Sequence, residues 1–324
     1  MLPPFLKFET LNLGKEKFMR PYRQTSLQKN LRLRAGIIET IRKFFVDNDY
    51  LEVETPVRIP APAPEAHIDA VESEDWFLQT SPELCMKHLL AAGVPRIFQI
   101  CKCFRHGERG RLHLPEMTML EWYRIDSNYQ DIMDECEALI AAVARQIGSE
   151  ATLTYQGKAI ALTPPWPRMS VSDAFKKFGP LAVEQALEQD RFDDIMITEI
   201  EPNLGQIQPV FLYDYPASRG ALARLKPADS RYAERFELYI GGLEICNAFS
   251  ELADPVEQRQ RFEREQDHRR KSGKPVYPMP DKFLRALADL PEAAGNALGI
   301  DRLLMLFADA KQIDEIVAFT PEEL

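Results

Sequence analysis

CFRHGERGRLHLPEMTMLEWYR, residues 103–124, sets two glycines and a cluster of cationic side chains between two strand-forming segments. Arg96 to Arg105 and Pro115 to Arg124 both have strand composition, and the loop between them contains Gly107 and Gly110. The stretch therefore predicts a long β-hairpin. It gathers Arg105, Arg109, Arg111, Arg124, His106 and His113 in a chain whose formal net charge is -10. On the returning strand, alternation puts Met117, Met119, Glu121 and Tyr123 on one face, and Met117 to Glu121 spans about 13 Å at a rise of about 3.4 Å per residue. That length suits an extended, nucleotide-linked ligand. The apolar end would take a base, the carboxylate and phenol an ammonium group, and Arg105 a phosphate between them. Charge pattern alone is also that of a solvated hairpin, so further motifs must decide.

ERFELYIGGLEICNAFSEL, residues 234–252, supplies one. Gly241 and Gly242 offer the positive φ values of a two-residue hairpin turn. Counting outward, Tyr239 faces Glu244, Leu238 faces Ile245 and Glu237 opposes Cys246. Glu237 and Glu244 then share a sheet face as diagonal neighbours, about 7 Å apart. Two carboxylates beside a cationic hairpin suit Mg²⁺ bound to a triphosphate, since that ion takes few protein carboxylates and completes its shell with phosphate oxygens. Their alternative is ordinary pairing with Arg235 or a lysine. Strict alternation turns Asn247, Phe249 and Glu251 away from Glu244, so a single cavity requires a β-bulge near Cys246. In GNALGIDRLLML, residues 295–306, the glycines allow close backbone approach before an apolar helix, and Arg302 in its first turn is placed to lie over a purine. Neither GxxxxGK[ST] nor GxGxxG occurs.

The rest of the chain frames these motifs. With 324 residues it is long enough for one large core. The acidic balance opposes a protein that coats nucleic acid, which needs a broad basic surface, so no stable nucleic-acid binding is expected. The 5 cysteines show no CxxC spacing and no leader precedes them, which predicts reduced thiols and a cytoplasmic protein. No apolar run approaches the roughly 18 residues of a membrane span. Residues 1–25 read as an arm. A helix runs from a Thr25/Ser26 cap through Leu27, Leu31, Ile37, Ile41 and Phe45 to Asp47, and a second follows Asp126 through Ile132, Cys136, Leu139 and Val143 to Gly148. Pro56 to Pro64 is an extended connection. Residues 149–208 give a hairpin at Gln156-Gly157 and two helices, and an Asp254-capped helix runs to about Lys271. Strands at Val210 to Tyr215, Arg235 to Ile240 and Leu243 to Phe249 join through tight turns, which predicts an α+β fold with a mainly antiparallel sheet. Cys101 and Cys103 read as packing thiols and His88 as structural.

Taken together, YLEVETPV (50–57), the arginine-led hairpin and Gly299-Ile300-Asp301-Arg302 resemble motifs 1, 2 and 3 of class II aminoacyl-tRNA synthetases. TSPELCMKHLL, PEMTMLEWY, ERFELYIGGLEICNAFSEL and GIDRLLML are similar to the lysyl-type catalytic core, over about residues 26–320. The resemblance implies a six-stranded antiparallel sheet flanked by helices over residues 26–324, and a homodimer with Pro56 at its interface. Only about 25 residues precede the first helix, so no anticodon-binding OB domain is expected. A free-standing core with LEWYR and Ala297 in GNALGIDRL resembles the elongation factor P lysine ligases, paralogues of lysyl-tRNA synthetase. That family implies ATP-dependent activation of (R)-β-lysine as an adenylate, with Mg²⁺, and its transfer to a lysine side chain of elongation factor P.

Carried over by position, Arg105 and Arg302 would be catalytic, Arg105 on the carboxylate and α-phosphate and Arg302 over the adenine. Glu237 and Glu244 would hold Mg²⁺. His106, Gly107, Glu108, Arg111, His113, Leu114, Met117, Glu244, Ile245 and Gly299 would complete the ATP site. Ser81, Pro82, Glu83, Glu121, Tyr123, Asn247, Phe249, Glu251 and Ala297 would line the amino-acid pocket, where glycine at Ala297's position is usual in lysyl-tRNA synthetases. Gly107 stands where an acid is common, Met117 where a phenylalanine stacks on adenine, Leu114 for asparagine and Ala248 for glycine. A truncated synthetase that acylates tRNA or another carrier, and a non-catalytic regulatory paralogue, stay open as alternatives.

Overall fold

The computed structural model describes residues 22–324; all but the last four residues of the expected N-terminal arm lie outside them. An eight-stranded mixed sheet organises the chain. In chain order its strands are β1 (Leu51–Glu52), β2 (Arg96–Phe104), β3 (Glu116–Ile125), β4 (Arg168–Ser170), β5 (Val210–Pro216), β6 (Tyr232–Ile240), β7 (Leu243–Ser250) and β8 (Ala293–Gly299). They lie in the order β1-β2-β3-β8-β7-β6-β5-β4. The six inner strands are antiparallel, as expected. The expected six-stranded sheet is nevertheless incomplete, because β1 and β4 dock parallel on its two edges. Strands of two and three residues are too short to show a period, so tertiary pairing alone reveals them.

Alternation divides each inner strand between two faces. One face sends Phe98, Leu120, Trp122, Phe236, Leu238, Ala248 and Leu298 into the main core. Helices α1 (Arg23–Asp47), α3 (Tyr129–Gln146) and α5 (Ile300–Ala308) cover it, with Ile37, Ile41, Phe45, Ile132, Leu139 and Leu303 buried against the sheet. The amphipathic stripes read in the sequence are those buried faces. The start of α1 differs from expectation: it begins at Arg23, and Ser26 Oγ donates back to the Arg23 carbonyl at 2.6 Å instead of capping. Arg23 itself is held by Glu323 at 2.5 Å and by the Asp314 carbonyl at 2.7 Å. A clamp from residues so distant in sequence overrides the local cap signal.

The opposite face is open at its centre and walled by α2 (Glu83–Ala91), by α4 (Pro255–Lys271), which Asp254 caps, and by the loop that precedes α2. That loop is less uniform than the extended connection expected of it, since Arg58–Ile59 pairs in a small three-stranded sheet. Between α3 and β5, the Gln156-Gly157 hairpin forms as expected. Three short helices follow it rather than two, packed through Phe175, Phe192 and Ile195 beside Leu212 and Tyr239. All five cysteines are free thiols.

The β6–β7 turn has Gly241 at φ 61 and Gly242 at φ 79, the left-handed pair a two-residue hairpin needs. Tyr239 faces Glu244, but Leu238 then faces Cys246 and Glu237 faces Asn247. Ile245 is the extra residue of a β-bulge, so the uninterrupted count of Leu238 to Ile245 and Glu237 to Cys246 is off by one below it. Gly295 answers a different need. A Cβ there would lie 2.1 Å and 2.3 Å from the Tyr123 ring and 2.9 Å from Glu251 Oε1. Gly295→Ala must push Tyr123 aside and should destabilise the protein by about 1–3 kcal/mol, as overpacking does. Urea unfolding will show a lower midpoint at unchanged slope; an unchanged midpoint contradicts the packing described.

Candidate active site

The open sheet face floors one cavity of about 860 Å³. Register lays out its floor in rows. Glu121, Ala297, Asn247 and Glu237 stand side by side on β3, β8, β7 and β6, and the next row holds Tyr123, Gly295, Phe249 and Arg235. The bulge at Ile245 returns Glu244 to this same face. Of the expected site residues, Ser81, Glu83, Arg105, His113, Leu114, Met117, Glu121, Tyr123, Glu237, Glu244, Ile245, Asn247, Phe249, Glu251, Ala297, Gly299 and Arg302 all line the cavity.

Five others do not. Pro82 is buried as the residue before α2, and Arg111 turns to the Lys311 carbonyl at 3.1 Å. His106 is exposed, with its backbone N–H on the Asp69 carbonyl, while Gly107 and Glu108 line a shallow depression at the hairpin tip. Glycines and a long loop let the tip curl away from the sheet, which strand register could not foretell.

One end of the cavity is acidic. Ser81 Oγ donates to Glu121 at 2.6 Å and Tyr123 to its other oxygen at 2.7 Å. Lys87 lies 2.6 Å from Glu83 and 2.5 Å from Glu251; Lys87 and Glu251 are fully buried and Glu83 is partly so. Among the described residues Glu83 and Glu251 share this one lysine, so negative charge is in excess. Burial, then Glu83, pushes Glu121 up to about 8. Burial pushes Glu251 up to about 7 against the pull of Lys87. Such an end is built to receive positive charge, because a buried carboxylate is costly until a hydrogen-bonded cation meets it.

The other end is cationic. Arg105, at the end of β2, is 3.8 Å from Glu108 and its buried Nε has no partner among the described residues. Arg302, in the first turn of α5, donates to the Glu244 carbonyl and to Glu244 Oε2, both at 2.9 Å, and reaches His113 Nε2 at 2.5 Å. Burial, then Arg302, lowers the His113 pKa, so its ring is neutral and Nε2 accepts. Burial works against Glu244, yet Arg302, Arg235 and Arg105 keep its pKa below the ordinary value. Glu237 is more enclosed: Arg235 holds one oxygen at 2.5 Å, while Tyr215 and Tyr239 both donate to the other at 2.6 Å. Among the described residues Glu244 Oε1 has no protein partner and Glu237 keeps one lone pair, so this donor set has room for a divalent cation.

The pairing with Arg235 that the sequence offered as the alternative for these glutamates is present at Glu237, while sequence reasoning missed Lys87, Tyr215 and Tyr239. Lys87 was detectable as the i+4 partner of Glu83 on a helix. The tyrosines come from register alone.

A family model described as tRNA synthetases class II (D, K and N) matches residues 12–323. The chain is similar to the elongation factor P–(R)-β-lysine ligase of Vibrio atlanticus, 41% identical over 309 residues, covering 90% of this chain and 95% of that protein. The same-named ligase of Vibrio cholerae is 40% identical over 312 residues, 91% of this chain and 96% of that protein. That of Haemophilus influenzae is 39% identical over 307 residues, 90% and 94% respectively.

Protons on Glu121 and Glu251 must leave before a dication can pair with both. Burial raises their pKa values to about 8 and about 7, so Glu121 ionises only above about pH 8 and Glu251 above about pH 7. Binding of a small diamino dication should therefore release protons at pH 7 and tighten from pH 6 to pH 8.5. Titration calorimetry in buffers of different ionisation enthalpy measures this. Binding with no proton release and no pH dependence contradicts it.

Proposed function

This chain belongs to the family of class II tRNA synthetases (D, K and N), and we propose that it is an ATP-dependent ligase acting on elongation factor P. It activates (R)-β-lysine as an aminoacyl adenylate and transfers the β-lysyl group to a lysine side chain of that protein. The observation that carries this reading is one cavity with Arg105 open at one end and Glu83, Glu121 and Glu251 at the other. An adenylate of a diamino acid needs both ends in one cavity.

In the first step the substrate carboxylate attacks the α-phosphorus of ATP and pyrophosphate leaves. The nucleophile is already an anion, so alignment and charge neutralisation suffice. Arg105 meets the charge that grows on the α-phosphate. Arg302, fixed flat by Glu244 and His113, covers the adenine from one side, and Met117 offers a thioether surface for the ring. Glu244 and Glu237 would hold Mg²⁺, which would supply positive charge to the triphosphate. Glu83, Glu121, Tyr123, Asn247 and Glu251 take the two ammonium groups, each needing a counter-charge once desolvated.

Ala297 stands between Asn247 and Glu121 in register, so its methyl group rises from the middle of the amino-acid pocket. That position supports discrimination between isomers that differ in where one amine sits. The catalytic domain extends over residues 26–324, works in the cytoplasm and pairs as a homodimer through the segment around Pro56. No helix among the described residues is long and apolar enough to cross a membrane.

Mass spectrometry of elongation factor P incubated with this protein, ATP and each lysine isomer tests the reading. A single β-lysyl increment is expected with (R)-β-lysine, and little with α-lysine. Modification of tRNA in place of elongation factor P favours a truncated synthetase. Glu244→Gln should slow (R)-β-lysine-dependent pyrophosphate exchange by at least about 10²-fold, since it removes charge fixed for the transition state; exchange at the unmodified rate contradicts its role.

A further inference from the structure

Among the described residues, Glu65 is the carboxylate on the cavity wall that has no hydrogen bond or ion pair. The others are held: Glu83 and Glu251 by Lys87, Glu121 by Ser81 and Tyr123, Glu244 by Arg302, and Glu265 by the Ala66 N–H. The remaining wall carboxylates have arginine or tyrosine donors as well. The lack of a partner is not a sign of a loose loop. The Ala66 N–H donates to Glu265 at 2.8 Å, Arg269 donates to the Glu65 carbonyl at 2.8 Å, and Lys274 to the Ala66 carbonyl at 3.1 Å. A rigid backbone thus presents a half-buried, unengaged carboxylate to the cavity.

Its neighbours define where it stands. Glu83 from α2, Arg105 from the hairpin, Glu265 from α4 and Arg235 from β6 line the same cavity as Glu65. Glu83 belongs to the amine end and Arg105 to the phosphate end. Glu65 therefore faces the cavity that joins the two ends, within which a bound adenylate would place its acyl carbon.

We propose that Glu65 is the general base of the transfer step, taking a proton from the lysine ammonium of the acceptor protein. This rests on the ligase reading above and adds a residue to it. A lysine amine, with an ordinary pKa of about 10.4, is almost wholly protonated at neutral pH and has no lone pair to attack with. One proton passes from the ammonium to Glu65. The freed nitrogen bonds to the acyl carbon, the acyl–phosphate C–O bond breaks, and AMP leaves with that electron pair. The new amide nitrogen then loses its second proton to solvent, and Glu65 releases the first to solvent as well. Burial, then Glu83, pushes Glu65 up to about 7, the range in which a base both holds and releases a proton near neutrality. The activation step has an anionic nucleophile and makes no such demand, so the two half-reactions should separate.

Glu65→Gln should leave (R)-β-lysine-dependent pyrophosphate exchange within about twofold of the unmodified enzyme, which also shows that the variant folds. Single-turnover transfer from preformed adenylate to elongation factor P should fall by about 10²-fold or more, and the rise of the transfer rate through pH 7 should disappear. Glu65→Asp should recover part of the rate. Hydroxylamine, whose amine is neutral at pH 7, should consume the adenylate equally in both proteins. Unimpaired transfer overturns the proposal. So does an equal loss in exchange and transfer, or a raised KM for (R)-β-lysine alone, which makes Glu65 an amine-binding group. If the unmodified enzyme shows no exchange with (R)-β-lysine, the ligase reading itself fails and this assignment with it.

Discussion

The site depends on one extra residue in one strand. A regular β7 would send Glu244 to the face opposite Asn247, Phe249 and Glu251, because side chains alternate with period two. The bulge at Ile245 absorbs one residue and puts all four on the open face. Phosphate-directed and amine-directed groups thereby share one cavity. Gly241 and Gly242 fix the count above the bulge, Gly295 clears room for Tyr123 below it, and the covered face of the same strands holds the main core.

Charge is then sorted along the floor. At the phosphate end every carboxylate is met by arginine or tyrosine, and Arg105 keeps an open nitrogen for an anion. At the amine end Lys87 serves two carboxylates at once, which leaves the pocket short of positive charge. The unfavourable burial at one end is the binding force for a diamine, and the open guanidinium at the other is the binding force for an adenylate. Removing Lys87 would not simply add room for a cation, because it would strand two buried carboxylates together.

Much of this was legible in the sequence. The long hairpin, the Gly-Gly turn, the stripes of α1 and α3, and the face shared by Met117, Met119, Glu121 and Tyr123 follow from period and turn chemistry. The incompatibility of strict alternation with a single site already required a bulge near Cys246. What escaped depends on distant contacts: the parallel edge strands, the start of α1 at Arg23, and the curl that takes His106, Glu108 and Arg111 off the cavity wall. Glu65 escaped because its segment has no period, and only the packing of α4 against it shows that it is fixed.

The central claim is that one cavity receives a nucleotide and a diamino acid end to end, and a crystal structure with a non-hydrolysable β-lysyl adenylate analogue tests it most directly. The account predicts the adenine beneath Arg302, the phosphate substitute against Arg105, and the two ammonium groups among Glu83, Glu121 and Glu251. An adenine lodged away from Arg302, or ammonium groups with no carboxylate in contact, would contradict it.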